Sequence, residues 1–255
     1  MPKRAETRAG RPARLRREQV LRAAIELADE GGLEALTMAK IGAKVGAEAM
    51  SLYRHVQNKE DVLDGVVDLV FAQVDLPPRG VGWRTALRRW AISVRGALSR
   101  HRWAIGLMES RGRPGPADLG HHDAVLGVLM DAGFTSPTAV RAYNLLNSYI
   151  YGFALQERSL PFATSEEIGK AGQRFLQQMP AEGYPHLAKV AVDLMSAGFV
   201  YANEFEPGLD LILSGLERLR KRATRLDPPS AVEARTPQPP RSVRRRRRPR
   251  PRSRS

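Results

Sequence analysis

The spacing of apolar residues is the feature of this chain that most constrains its fold. From about residue 14 to about residue 224, apolar side chains recur every three to four positions, beginning with Val20, Ala24 and Leu27. That spacing places them on one face of a helix. No segment combines sustained alternation of apolar and polar residues with the β-branched enrichment typical of a strand. The sequence therefore predicts an all-α protein.

Glycine and capping residues divide the first part of this pattern into short helices. Gly31 and Gly32 follow a first helix expected over about 14–30. Thr37 is placed to cap a second helix that Gly46 ends, and a third, short helix is expected over about 48–55. Asn58 then caps a fourth helix. A helix of about two turns, a glycine break and a second short helix have the length of a helix-turn-helix.

Longer helices are predicted beyond residue 80, at about 83–101, 103–109, 116–132, 136–160, 165–179, 184–197 and from Pro207 onward. We therefore expect an N-terminal three-helix head, with the helix-turn-helix at 14–60, and a larger C-terminal helical body at 61–226. Residues 1–13 are expected to be a disordered basic arm. Residues 227–255 are expected to be a disordered tail rich in arginine and proline.

The positive charge of the chain is concentrated in its two ends. The net charge is +14, and residues 18–226 are neutral overall because residues 1–17 carry +6 and residues 227–255 carry +8. Cationic ends suit a polyanion such as DNA or RNA, although they could also be simply solvated tails. The chain has no cysteine, which excludes disulfides and thiolate chemistry. No apolar run reaches the roughly 18 residues of a membrane span, so no membrane partner is expected.

The short third helix has the side chains needed to contact DNA. Ser51, Tyr53, Arg54 and His55 offer hydroxyl, guanidinium and imidazole groups that can reach base edges or phosphates. Lys59 begins the next helix, where its ammonium group and free backbone amides could hold a phosphate. The alternative is an ordinary helical corner with a solvated face, and spacing alone does not separate the two.

Several stretches resemble a known family. TMAKIG at 37–42 and LYRHVQNKEDVL at 52–63, together with ADEGGLEALT at 28–37, are similar to the DNA-binding domain of the TetR family of bacterial transcription regulators. FEPGLDLILSGLE at 205–217 resembles the closing helix of the tetracycline-repressor branch. DAGF at 131–134, followed by a proline-capped helix, resembles that branch as well.

The resemblance implies a homodimer that binds a roughly palindromic operator in the bacterial cytoplasm and is associated with the nucleoid through DNA. It implies DNA contacts at Thr37, Met38, Glu48, Ala49, Met50, Ser51, Tyr53, Arg54, His55 and Lys59. The family often has serine or threonine at the position of Glu48. A glutamate there can still accept amide hydrogen bonds at the helix start, or read a cytosine amine.

The resemblance also implies that the body provides both a dimer interface and a ligand chamber. The long helix at about 137–160 and the last helix at about 207–224 carry wide apolar stripes, which suit a four-helix interface between protomers. A thick monomeric core is the alternative. The candidate pocket residues are Trp90, His101, Trp103, Met108, Asn144, Asn147, Tyr151 and Gln156.

Asn144 and Asn147 indicate a pocket because amides on an apolar helix must be paired if they are buried. They could instead bond across the dimer interface or face water. His101 resembles the metal-associated histidine of the tetracycline-binding branch, but Gln156 stands where that branch wants a carboxylate. His121 and His122 point about 100° apart on a helix, so they are expected to be surface or satisfied histidines. We therefore expect no metal and no other cofactor, only a small-molecule effector of unknown identity.

The function these features favour is a ligand-responsive repressor that an inducer releases from its operator. The sequence has no nucleophile elbow, zinc-protease helix or phosphate-binding glycine loop, so an enzyme is not expected. A transcriptional activator and a sequence-neutral nucleic-acid-binding protein driven by the basic arms are the alternatives.

Overall fold

The computed structural model describes residues 15–110, 113–160, 164–180 and 183–226. The expected basic arm and arginine-rich tail lie outside the described residues. Within them every element is helical, which confirms the all-α prediction. The α-helices are α1 (Arg17–Gly31), α2 (Met38–Lys44), α3 (Ala49–Leu52), α4 (Lys59–Phe71), α5 (Trp83–Arg100), α6 (Ala104–Ser110), α7 (Pro116–Asp131), α8 (Ser136–Ser159), α9 (Ser165–Gln178), α10 (Pro185–Ala197) and α11 (Phe205–Leu226).

The head is built from α1, α2 and α3, with the start of α4 closing it. Its core contains fully buried Val20, Ile41, Leu52 and Val62. Both predicted caps are present: Thr37 Oγ1 accepts the Lys40 amide at 3.2 Å, and Asn58 Oδ1 accepts the Asp61 amide at 2.8 Å. These bonds satisfy amides that a helix start leaves unpaired.

Two glycines make the sharp turn between α2 and α3 possible. Gly46 adopts a φ of 68°, in the left-handed region that glycine tolerates best. At Gly42 an added Cβ would lie 2.6 Å from the Ala47 carbonyl oxygen, so α2 and α3 approach too closely for a side chain. Gly46 was expected from the sequence, whereas the requirement at Gly42 appears only in the packing.

The body is arranged around α8, which packs on α5, α7 and α11. Fully buried Leu87, Leu146, Ile150 and Leu209 represent the core of these helices. Helices α9 and α10 form a hairpin that packs mainly on itself and contains no buried residue. No helix among the described residues has the length and apolarity to cross a membrane.

Several helix boundaries differ from the sequence prediction. α1 begins at Arg17, three residues later than expected. α3 ends at Leu52, because the amides of residues 54 and 55 donate to the carbonyls three residues earlier, as in a tightened 3-10 turn. Thr135, not Ser136, occupies the N-cap position of α8, so Ser136 is its first residue. α11 begins at Phe205, which leaves Pro207 in the first turn, where a missing N–H costs nothing.

Candidate DNA-reading helix and effector body

Helix α3 is anchored on one side and exposed on the other. Leu52 is fully buried against the head, whereas the side chains of Met50 and Tyr53 are 75% and 46% exposed. A short helix fixed in this way presents an apolar tip and a phenol to an outside partner. The sequence analysis predicts that this same surface enters a groove of DNA.

The other predicted DNA contacts surround this tip. Thr37, Glu48, Arg54 and Lys59 are exposed, and Met38, Ala49, Ser51 and His55 are half-buried. Two details differ from the expectation. The Glu48 side chain makes no capping bond at the start of α3, and the Ser51 hydroxyl donates to the Glu48 carbonyl at 2.7 Å. The Ser51 oxygen can therefore still accept a hydrogen bond from a base, but its proton is already donated to the Glu48 carbonyl.

A bidentate ion pair braces the end of α3 against α4. Arg17 donates to both carboxylate oxygens of Asp61 at 2.7 Å and 2.6 Å, and also to the His55 carbonyl at 3.2 Å. Asp61 additionally accepts the Gln57 amide at 2.8 Å. The hydrogen bonds from the Arg17 guanidinium hold the pKa of Asp61 below its usual value. The sequence analysis did not identify this brace, because its partners lie 44 residues apart.

A second polar cluster joins the head to the body. Asp29, near the end of α1, accepts the Trp103 indole N–H at 2.6 Å and lies 2.9 Å from His101 Nδ1. The other ring nitrogen of His101 lies 3.0 Å from the Gln73 side-chain oxygen. Both ring nitrogens of His101 therefore face partners at the junction, which differs from the metal-associated role that the resemblance suggested.

Two of the candidate pocket residues line grooves at the junction between head and body. His101 and Trp103 line grooves of about 620 Å³ and 490 Å³, both of which also include Asp29. Gln156 is exposed and accepts a hydrogen bond from Tyr201 at 2.5 Å. Asn144 is exposed as well. Of the others, Trp90 is buried, and Met108, Asn147 and Tyr151 are half-buried.

Helix α4 is tied to the body by contacts with α7. Asp68 Oδ1 accepts the amides of Ala117 and Asp118 at 2.8 Å and 3.3 Å, which caps the start of α7. His121 Nε2 lies 3.0 Å from the Phe71 carbonyl in the last turn of α4. His121 is buried with Nε2 bonded in this way and Nδ1 without a hydrogen-bond partner among the described residues, whereas the His122 side chain is 42% exposed. One face of α7 packs on α4, and no local pattern in the sequence indicates which face that is.

Comparison with known proteins agrees with this architecture. Residues 20–66 match the family model described as bacterial regulatory proteins, tetR family, and residues 76–220 match the tetracyclin repressor-like C-terminal domain. The transcriptional repressor DrrR1 of Streptomyces coeruleorubidus is 32% identical over 211 residues, covering 79% of this chain and 77% of that protein. The class C tetracycline repressor of Escherichia coli is 30% identical over 210 residues, covering 81% of this chain and 93% of that repressor.

Solved structures show the same fold. Apo ActR from Streptomyces coelicolor superposes with a TM-score of 0.71 at 25% identity, covering 84% of this chain and 100% of ActR. ActR in complex with actinorhodin gives a TM-score of 0.69 at 26% identity, with coverages of 82% and 99%.

The fold, the exposed short helix α3 and these matches define a helix-turn-helix regulator with a helical C-terminal domain. The chain belongs to the TetR family of bacterial transcription regulators. The predictions of a DNA-binding regulator and of the ligand-responsive repressor type are thereby confirmed at the level of the family.

Proposed function

We propose that this chain is a homodimeric repressor whose α3 enters the major groove of an operator, and that a small organic effector bound in the body releases it. The observation that carries this proposal is the segment formed by α3 and Tyr53, the residue that follows it. Met50 and Tyr53 are exposed, and buried Leu52 and the Arg17–Asp61 brace hold the segment in place. Met50 would touch bases through apolar contact, and Tyr53 would bond a base edge or a phosphate.

The exposed apolar side chains of the body support a dimer through α8 and α11. Val140, Leu145 and Leu155 of α8 are about half exposed, and Leu211 of α11 is 75% exposed. Leaving such residues in water on adjacent helices is unfavourable, and a second copy would cover them. Asn144 lies on this same exposed side of α8, which favours the alternative that its amide bonds across the interface. The α9–α10 hairpin exposes Phe175, Leu187, Val190 and Val192 and would pack on the partner as well.

Helix α4 is the element that would carry the effector signal. Its first turn holds α3 through Asp61, and its later turns contact α7 through Asp68 and the Phe71 carbonyl. A rigid helix fixed at both ends transmits a small shift of α7 to the reading helix. Two reading helices of a dimer must lie about 34–36 Å apart to match successive major grooves. An effector that binds more tightly to a dimer with another spacing lowers operator affinity. The effect is limited by the ratio of the effector's affinities for the two spacings.

The relatives support a small organic effector, since ActR is known in complex with actinorhodin. We infer that the effector body acts by binding alone, without catalysis, and that the protein works in the bacterial cytoplasm where its operator lies. The domain division stays as proposed from the sequence, with α4 spanning the boundary between head and body.

An electrophoretic shift assay with the intergenic DNA upstream of the gene tests operator binding. Met50→Ala and Tyr53→Ala should each abolish the discrete shifted band. Met130→Ala is the matched control, because Met130 is 51% exposed but lies at the far end of α7. Unchanged shifts by both α3 variants would refute the assignment of α3 as the reading helix. Analytical ultracentrifugation of the wild type and of Leu211→Glu tests the dimer, since a charge at this position should yield monomers.

A further inference from the structure

One of the two grooves at the junction between head and body brings three arginines together. This groove, of about 490 Å³, is lined by Arg100, Arg102 and Arg158, and we call it the basic groove. The arginines come from the last residue of α5, the turn after it and the end of α8. Residues 18–226 are neutral overall, so three arginines around one groove are a local excess of positive charge.

The three arginines have most of their hydrogen-bond donors free. Arg158 Nη1 donates to the Arg102 carbonyl at 2.9 Å, which ties the end of α8 to the turn after α5. All three side chains are exposed, and none of them forms an ion pair with a described residue. Positive charges around one groove repel each other, and an anion that accepts from several of them relieves this repulsion.

Two carboxylates also line the basic groove, but neither pairs with an arginine. Asp29 accepts the Trp103 indole N–H at 2.6 Å and lies 2.9 Å from His101 Nδ1. Glu34 is exposed, and its Oε2 lies 2.7 Å from the point where a Cβ on Gly32 would stand. Glu34 has no hydrogen-bond or ion-pair partner among the described residues, so its charge would oppose an anion bound beside it.

The basic groove has more space than a phosphate ion needs. Sites for small organic molecules usually have a volume of about 300–1,000 Å³, and this groove lies within that range. Leu33 of the head and Gly106 of α6 contribute apolar surface. An added Cβ at Gly106 would meet no atom within 4 Å, so the groove is open along this side of α6. The space beside the arginines therefore suits an organic group attached to the anion.

We propose that the basic groove binds a small organic phosphate, with its phosphate group on the three arginines and its organic part along Leu33 and Gly106. The planar guanidinium group matches the geometry of phosphate oxygens and can donate two parallel hydrogen bonds. A phosphate monoester is favoured over a carboxylate, because near pH 7 it carries a charge of about −2 and three acceptor oxygens. This site lies outside the body chamber expected for the effector.

A ligand in the basic groove would contact head and body at the same time. Leu33 and Glu34 follow α1 in the head, whereas the arginines and Gly106 belong to the body. Binding would stabilise the arrangement in which these two walls face each other. Operator affinity should therefore change with the concentration of the phosphate compound. This consequence rests on the proposed function, but the binding itself does not.

Three probes test the site by isothermal titration calorimetry of the full chain at constant ionic strength. They are phenyl phosphate, inorganic phosphate, which lacks the ring, and phenol, which lacks the phosphate. We expect phenyl phosphate to bind about tenfold more tightly than phenol, because hydrogen bonds between charged groups contribute most of the affinity. It should also bind more tightly than inorganic phosphate, because its ring covers apolar surface of the groove.

Four substitutions assign the contacts. Arg100→Gln and Arg102→Gln should each raise the Kd of phenyl phosphate about tenfold by removing a charged donor. Glu34→Gln should lower that Kd, because it removes the opposing charge. Gly106→Leu should fill the open side and weaken phenyl phosphate more than inorganic phosphate. Arg89→Gln is the matched control and should leave the Kd unchanged, since Arg89 is exposed on α5 but lines neither junction groove.

The inference is overturned if phenyl phosphate gives no saturable heat, or if Arg89→Gln weakens it as much as Arg100→Gln, which would indicate a general charge effect. It is also overturned if Arg100→Gln weakens the operator band while phenyl phosphate does not bind, since the arginine would then contact DNA. These titrations contain no DNA. A discrete operator band without phenyl phosphate binding would reject only the site, and binding without a band would reject only the regulator assignment.

Discussion

The junction between head and body gives the sharpest test of how this fold is held together. Replacing Asp29 by alanine removes the acceptor of two buried donors, the Trp103 indole N–H and His101 Nδ1. Each buried donor left unpaired costs about 1–3 kcal/mol. The Asp29 side chain is 32% exposed, so water can partly replace it, and we expect a total loss of about 2–4 kcal/mol in the free energy of unfolding.

Glu30→Ala is the matched control, one residue further along α1. Glu30 contacts Lys44 at 2.9 Å, but its side chain is 67% exposed and Glu26 also pairs with Lys44. An exposed pair of this kind contributes little to stability, because water and salt screen it. Urea unfolding followed by tryptophan fluorescence measures both variants. At a slope of about 2 kcal/mol per molar urea, the Asp29→Ala midpoint should fall by about 1–2 M. Equal midpoints for Asp29→Ala and Glu30→Ala would refute the reasoning.

Three further predictions concern the turn, the buried histidine and the tail. Gly42→Ala should destabilise the head by about 1–3 kcal/mol and weaken operator binding, because the added Cβ would meet the Ala47 carbonyl. Gly120→Ala is the control, since Gly120 faces open space and alanine there should stabilise α7 slightly. Equal thermal unfolding midpoints for the two variants would contradict this. The pKa of His121 is lowered in the folded protein, so the free energy of unfolding should fall as the pH drops below about 6.5, by at most about 1.4 kcal/mol per pH unit. In urea titrations from pH 7.5 to 5, His121→Phe should lose this contribution to the pH dependence of the free energy of unfolding. Deleting residues 227–255 removes ten arginines and should flatten the salt dependence of DNA binding without changing site preference; an unchanged slope in shift assays would show that the tail does not touch DNA.

The helix-turn-helix was predictable because its signals are local. A cap at Thr37, a glycine at 46 and a cap at Asn58 are each decided within a few residues, and all three occur in the structure. The effector body was less predictable. Asn144 and Gln156 were expected in a pocket but lie exposed, since the rotation of α8 about its axis depends on packing by α5, α7 and α11.

The sequence by itself determined the helical class and the helix-turn-helix, because apolar periodicity, capping and turn residues act over short distances. The family came from the resemblance of its motifs. Only the tertiary structure decided which polar groups meet. His101 joins Asp29 across 72 residues, and Arg17 braces Asp61 across 44. His121 reaches the Phe71 carbonyl across 50. Such pairings depend on how whole helices rotate and pack, and no local pattern along the chain contains that information.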